Sequence, residues 1–142
     1  MSHLHPWFIA TQRKHIVAHL ADKADRDAYV RYRIESGVAA QIHAMRRSRR
    51  WSQADMAARL GKPQPLISRL EDWRHGRHSV STLLEVASLF DVALLVAFAP
   101  FSELADREAA RDCWTVAVRP YLQDDELHLA QEPAIPDSWN LR

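Results

Sequence analysis

The sequence predicts a mainly α fold, and three features carry that expectation. Two short stretches, one opened by Ser52 and the other by Gln64-Pro65, flank a Gly61/Pro63 break. Apolar residues recur at three- to four-residue steps from Val30 to Met45, and again at Leu83, Ala87 and Phe90. A composition of 47% hydrophobic and 26% charged residues over 142 positions is that of one ordinary globular core with extensions.

Residues 1–36 are expected to form an N-terminal helical extension. Trp7, Phe8, Ile9, Ile16, Val17 and Leu20 predict an amphipathic helix from Pro6 to Ala21, ended by the polar run Asp22–Asp27. A second helix then starts near Arg26. Its stripe of Ala28, Val30, Ile34, Val38, Ile42 and Met45 continues past Gly37, which weakens a helix without forbidding it. His15 and His19 stand one turn apart, a spacing that can hold a transition metal. No third ligand accompanies them, so they are read as surface histidines and no metal site is expected.

Arg46, Arg47, Arg49 and Arg50 close this helix, where cations complement the negative end of its dipole and can also reach a phosphate backbone. Trp51 is read as a core plug. Ser52 and Asp55 form a capping-box pattern that starts a helix at Gln53, with Met56, Ala57 and Leu60 on its inner side. Gly61 can take the left-handed conformation that ends a helix, and Pro63 cannot continue the hydrogen-bond ladder. The next helix turns Ile67 and Leu70 inward, leaving Gln64, Pro65, Ser68, Arg69 and Asp72 outward. An exposed helical face offering an amide and a guanidinium is what reading base edges in a major groove requires.

The polar loop Asp72–Ser79 follows, and Ser79 caps a helix with Val80, Leu83, Leu84, Ala87 and Phe90 facing inward. Val92–Ala99 is apolar on both faces and stopped by Pro100, which predicts a buried strand. Such a strand needs a partner for its backbone. Two are open: Cys113–Val118 of the same chain, or the same strand of a second copy about a two-fold axis, the latter preferred. Phe101–Asp112 is predicted as a helix opened by Ser102. Residues 123–142, acidic and containing Pro133 and Pro136, are expected to be largely disordered.

Charge is unevenly placed. Residues 46–78 hold nine Lys/Arg against three acids, residues 1–45 carry a net +2 and residues 79–142 a net −7. The basic patch therefore coincides with the paired helices, as expected of a surface that displaces counterions from phosphates. A single Cys113 favours a reducing compartment and argues against a cysteine-based metal site. The longest apolar run, Val92–Phe101, is too short to span a bilayer, and the N-terminus shows no targeting pattern. A cytoplasmic protein is expected. No phosphate-binding glycine loop or nucleophile motif is present, so neither an enzyme nor a cofactor is expected.

The stretch Ser52–Glu71 resembles the helix-turn-helix of the phage-repressor and Cro type, the XRE family. Ser52, Gln53, Met56, Ala57, Leu60, Gly61, Gln64, Ile67, Ser68 and Glu71 match its pattern, and the resemblance extends from about Val38 to Phe90. It implies a five-helix lambda-repressor-like DNA-binding domain over 37–92. Some members of that family dimerise through a strand after the helical module, so the strand–helix–strand read from the residues over 93–122 is expected to be a dimerisation segment in which Leu94, Leu95, Val96 and Phe98 form the contact, with the acidic tail after it. The residues expected to read bases are Gln64, Pro65, Ser68 and Arg69. Those expected to contact phosphate are Gln53, which also braces Gln64, together with Arg49, Arg50, Lys62, Arg74, Arg77 and His78. The resemblance implies a transcriptional regulator, a repressor, bound as a homodimer to a pseudo-palindromic operator on double-stranded DNA. The alternative is an antitoxin that clamps a toxin through its termini and controls its own operon.

Overall fold

The computed structural model describes residues 6–110 and 118–124. Helix α1 spans Pro6–His19, and α2 spans Lys23–Ser48 as one unbroken rod of 26 residues. Asp22 sets where α2 begins: its Oδ1 accepts from the backbone N–H groups of Ala24 at 2.8 Å and Asp25 at 3.2 Å. With these two otherwise unpaired N–H groups satisfied, the helix starts three residues before the expected Arg26. Gly37 is buried inside α2, and the helix passes through it.

Helix α3 (Gln53–Leu60) opens on the expected reciprocal cap, in which Ser52 Oγ accepts from Asp55 N–H and Asp55 Oδ2 accepts from Ser52 N–H. It ends at Gly61, whose φ of +65° is left-handed; a Cβ there would meet nothing within 4 Å, so the glycine is needed for its dihedral and not for space. Helix α4 (Gln64–Leu70) carries Pro65 in its first turn. Helix α5 (Val80–Phe90) is capped by Ser79, and α6 (Phe101–Ala110) begins at the expected Phe101, with Ser102 inside its first turn and the Pro100 carbonyl accepting from the N–H groups of Glu103 and Leu104. A short 3₁₀ turn covers Tyr121–Gln123.

Ile42 and Met45 of α2, Met56 and Ala57 of α3, Ile67 and Leu70 of α4, and Val86 and Phe90 of α5 form the core. Trp51 does plug it, stacked on Phe90 with ring centroids 5.4 Å apart. A second packing unit lies at the other end of α2, where α6 returns to lie on α1 with Ala105 and Ala109 fully buried. Alanine at those two positions lets the helix backbones approach closely.

Four expectations are corrected. Residues 37–92 hold four helical segments instead of five, because the left-handed Asp91 ends α5, Val92–Pro100 runs non-helically, and the next helix packs on α1. The strand expected over Val92–Ala99 is absent among the described residues: Asp91 O accepts from Tyr121 N–H at 2.9 Å, but no ladder follows. Without a ladder the segment is not buried either. Leu95 is 88% and Val96 70% exposed, Phe98 fully so, and Leu94 only partly covered. The proposed partner Cys113–Val118 lies outside the described residues except for Val118, as does the tail from residue 125. Finally, Val80 and Leu84 of α5 and Ile34 of α2 face outward, since the buried face of α5 follows Val86, Ala87 and Phe90.

Candidate nucleic-acid interface

The outer face of α4 carries Gln64, Pro65, Ser68 and Arg69, and all four are exposed. Ile67 and Leu70 on its opposite side are buried, so a seven-residue helix is fixed by two anchors while its polar face stays accessible. Gln64 is held as well as displayed. Its Nε2 donates to Gln53 Oε1 at 2.8 Å, and Gln53 Nε2 donates to Glu71 Oε2 at 3.0 Å.

The direction of this chain follows from chemistry. Ionised Glu71 can only accept, so Gln53 must turn its NH₂ toward it, and the Gln53 carbonyl then accepts from Gln64. One N–H and the Oε1 of Gln64 remain to face outward, the donor–acceptor pair that matches an adenine edge.

Glu71 follows α4 and is nearly buried. Arg46 Nη2 donates to its Oε2 at 2.9 Å while Arg46 Nε reaches Oε1, and His43 Nδ1 lies 3.2 Å from Oε2. Burial pushes the Glu71 pKa up, but hydrogen bonds from Arg46, Gln53 and His43 outweigh it and hold the carboxyl below its ordinary value. The bond to Glu71 in turn raises the Arg46 pKa. Arg46 Nη1 also donates to the Trp51 carbonyl at 2.6 Å. The buried pair thus ties α2, the α3 entrance and the end of α4 together behind the outward face.

Residues 38–96 match the family model of a helix-turn-helix domain. Over those residues the chain has a helix-turn-helix domain, which supports the XRE-type resemblance. No curated protein and no solved structure matches it. A helix-turn-helix domain points to a DNA-binding regulator, with α3 and α4 as the paired helices and α4 as the recognition helix.

Around this domain the expected phosphate contacts are placed unequally. Arg50, Arg74 and Arg77 are exposed, with Arg50 in a left-handed conformation at the end of α2. Arg49 is exposed but donates to the Phe90 carbonyl at 3.3 Å and lies over the Trp51 ring, and Lys62 Nζ pairs with Glu85 at 3.0 Å. Gln53 is half-buried in the relay. His78 turns inward: its Nε2 is buried without a hydrogen-bond partner among the described residues. Burial lowers the His78 pKa against the opposing charge of Glu35, which favours a neutral ring and removes it from the cations available to a phosphate.

Sequence reasoning placed Arg46 in the basic cluster and missed its burial. A signal was present, since Arg46 follows the buried Ile42 by four residues and so shares its helix face. Arg59 was also missed; its guanidinium lies 4.4 Å from the Trp51 ring centroid and covers the core plug from the solvent side. Among the described residues no group of three or more His, Cys, Asp or Glu could hold a metal ion, and no helix is long and apolar enough to cross a membrane.

Proposed function

We propose that this protein is a cytoplasmic, sequence-specific transcriptional regulator, a repressor, that binds a pseudo-palindromic operator as a homodimer. The observation that carries this reading is the outward face of α4, where Gln64 is oriented through Gln53 by a buried carboxylate while Arg69 stands exposed beside it. Gln64 and Arg69 read base edges, with Pro65 and Ser68 beside them. Arg50, Arg74 and Arg77 sit on phosphates and fix register.

The exposed apolar stretch Leu95, Val96 and Phe98 supports dimerisation: its backbone lacks ladder partners among the described residues, and an antiparallel copy would supply them while covering the side chains. Two recognition helices would then enter successive major grooves about 34 Å apart. A second reading, an antitoxin, is favoured by the α1–α6 unit, which lies largely outside the matched residues and exposes Trp7 and Val17. Co-purification of a small basic toxin would single out that reading.

The test is selection of bound sequences from random duplexes by the purified protein, repeated with two variants. Arg69→Ala should cost about 1–3 kcal/mol and blur one base position in each half-site, whereas Arg77→Ala should weaken all sequences alike and flatten the salt dependence. Two variants that behave identically on selected and random DNA would refute the base-reading role.

A further inference from the structure

We propose that Tyr32 and Glu35, on the part of α2 that precedes the matched domain, form a platform holding loop 72–79 in the conformation that presents Arg74 and Arg77 to a DNA backbone. This rests on the DNA-binding reading and adds two positioning residues from outside residues 38–96.

Tyr32 and Glu35 are three apart and so share one face of the helix. The loop lies on that face. The Trp73 ring meets the Tyr32 ring edge to face, with centroids 5.7 Å apart and planes at 82°. Gly76 sits directly over Glu35, where a Cβ would fall 2.5 Å from the Glu35 Cδ, and its φ of +32° is one that side chains rarely adopt. His78, two residues on, is half-buried and feels the Glu35 charge. Gly76 and His78 are therefore the loop's half-buried residues and Trp73, itself still exposed, touches Tyr32 with its ring, while Arg74 and Arg77 lie between these positions and are exposed.

Arg74 is linked to the platform through the same ring, its guanidinium lying 5.7 Å from the Trp73 centroid. A loop already seated on a rigid helix does not have to be ordered when phosphates arrive, so its cations deliver their full effect on binding.

The experiment compares the full-length protein with Tyr32→Ala and Tyr32→Phe. Affinity for a random-sequence duplex is measured across a salt series, base preference is measured on selected duplexes, and amide hydrogen exchange is followed in the loop and in the core. Tyr32→Ala should lose about three- to tenfold in random-duplex affinity, the scale of one aromatic pair. Its log–log salt slope should shrink by up to about 2, since each phosphate contact contributes roughly 0.9. Exchange in residues 72–79 should quicken while base preference and core exchange stay as in the wild type, and Tyr32→Phe should restore all of it. A Tyr32→Ala protein with the wild-type slope, with unchanged loop exchange, or with core exchange raised alongside the loop would overturn the platform alone. A wild type that binds no duplex would overturn the DNA reading and the platform with it.

Discussion

Two arginine–glutamate pairs join α2 to later parts of the chain, and their surroundings differ. Near the C-terminal end of α2, Arg46 and Glu71 are both nearly buried, and Glu71 also accepts from Gln53 with His43 in contact. Toward the N-terminal end, Arg33 Nε lies 2.6 Å from Glu108 Oε2 on α6, with Tyr29 Oη at 3.4 Å from the same oxygen. Here neither Arg33 Nε nor Glu108 Oε1 gains a hydrogen bond among the described residues. The first pair is saturated and aims a side chain at the outside; the second joins helices through charge with polar capacity left over. A buried charge pair is costly to desolvate, so its bonding pattern, more than its presence, tells which pair organises a site.

Breaking each pair should expose the contrast most strongly. Arg46→Met leaves Glu71 buried without its cation and should cost about 3–5 kcal/mol, with Gln64 losing its fixed orientation. Arg33→Met strands Glu108, whose side chain is also only 5% exposed, and should cost a comparable amount, about 3–5 kcal/mol, yet it leaves the Glu71–Gln53–Gln64 relay in place. Thermal unfolding measures both losses, and base preference on selected duplexes separates the variants: an Arg33→Met protein that loses base preference as Arg46→Met does would erase the contrast.

Acid titration sharpens the comparison next. A carboxyl whose folded pKa is depressed stabilises the fold above its ordinary value of 4.5 and loses that contribution as pH falls through the lower folded value. The helix-turn-helix domain should therefore weaken below pH 4.5, and Glu71→Gln should flatten that descent. His78, also depressed, should contribute an earlier decline as pH falls below its ordinary 6.5, local to loop 72–79 and visible in its ring resonances.

Smaller effects belong to the helix caps. Ser52→Ala and Asp22→Ala should each cost about 1 kcal/mol, with amide exchange quickening at the start of α3 in the first and of α2 in the second. Least of all is the exposed pair Lys23–Asp27, where Lys23→Ala should leave the unfolding temperature almost unchanged. A large drop there would mean that α1 and the start of α2 are more tightly coupled than the exposure of that pair implies.

The legible parts of the chain were those encoded by local chemistry. Ser52, Asp55, Gly61, Pro63 and Ser79 each act within a few residues of themselves, so the starts of α3 and α5 and the break before α4 could be read directly. The inner residues Met56, Ile67, Leu70 and Phe90 followed from helical periodicity. The illegible parts depended on partners distant in the chain. An arginine in a basic run reads as a phosphate contact until Glu71, twenty-five residues away, is seen to bury it. His78 reads as a surface cation until the loop is seen to close on Glu35. The apolar run Leu94–Phe98 reads as a buried strand, yet burial and pairing both need a second segment that periodicity cannot supply.

By itself the sequence determined the helix-turn-helix, its caps and the polar outward face of α4, because short-range hydrogen bonds and a 3.6-residue repeat leave little choice. Only the tertiary structure decided that Glu71 orients Gln53 and Gln64, that α6 folds back on α1, and that loop 72–79 rests on α2. Those outcomes rest on contacts between residues tens of positions apart, where packing and charge pairing select among conformations that local preferences leave equally accessible.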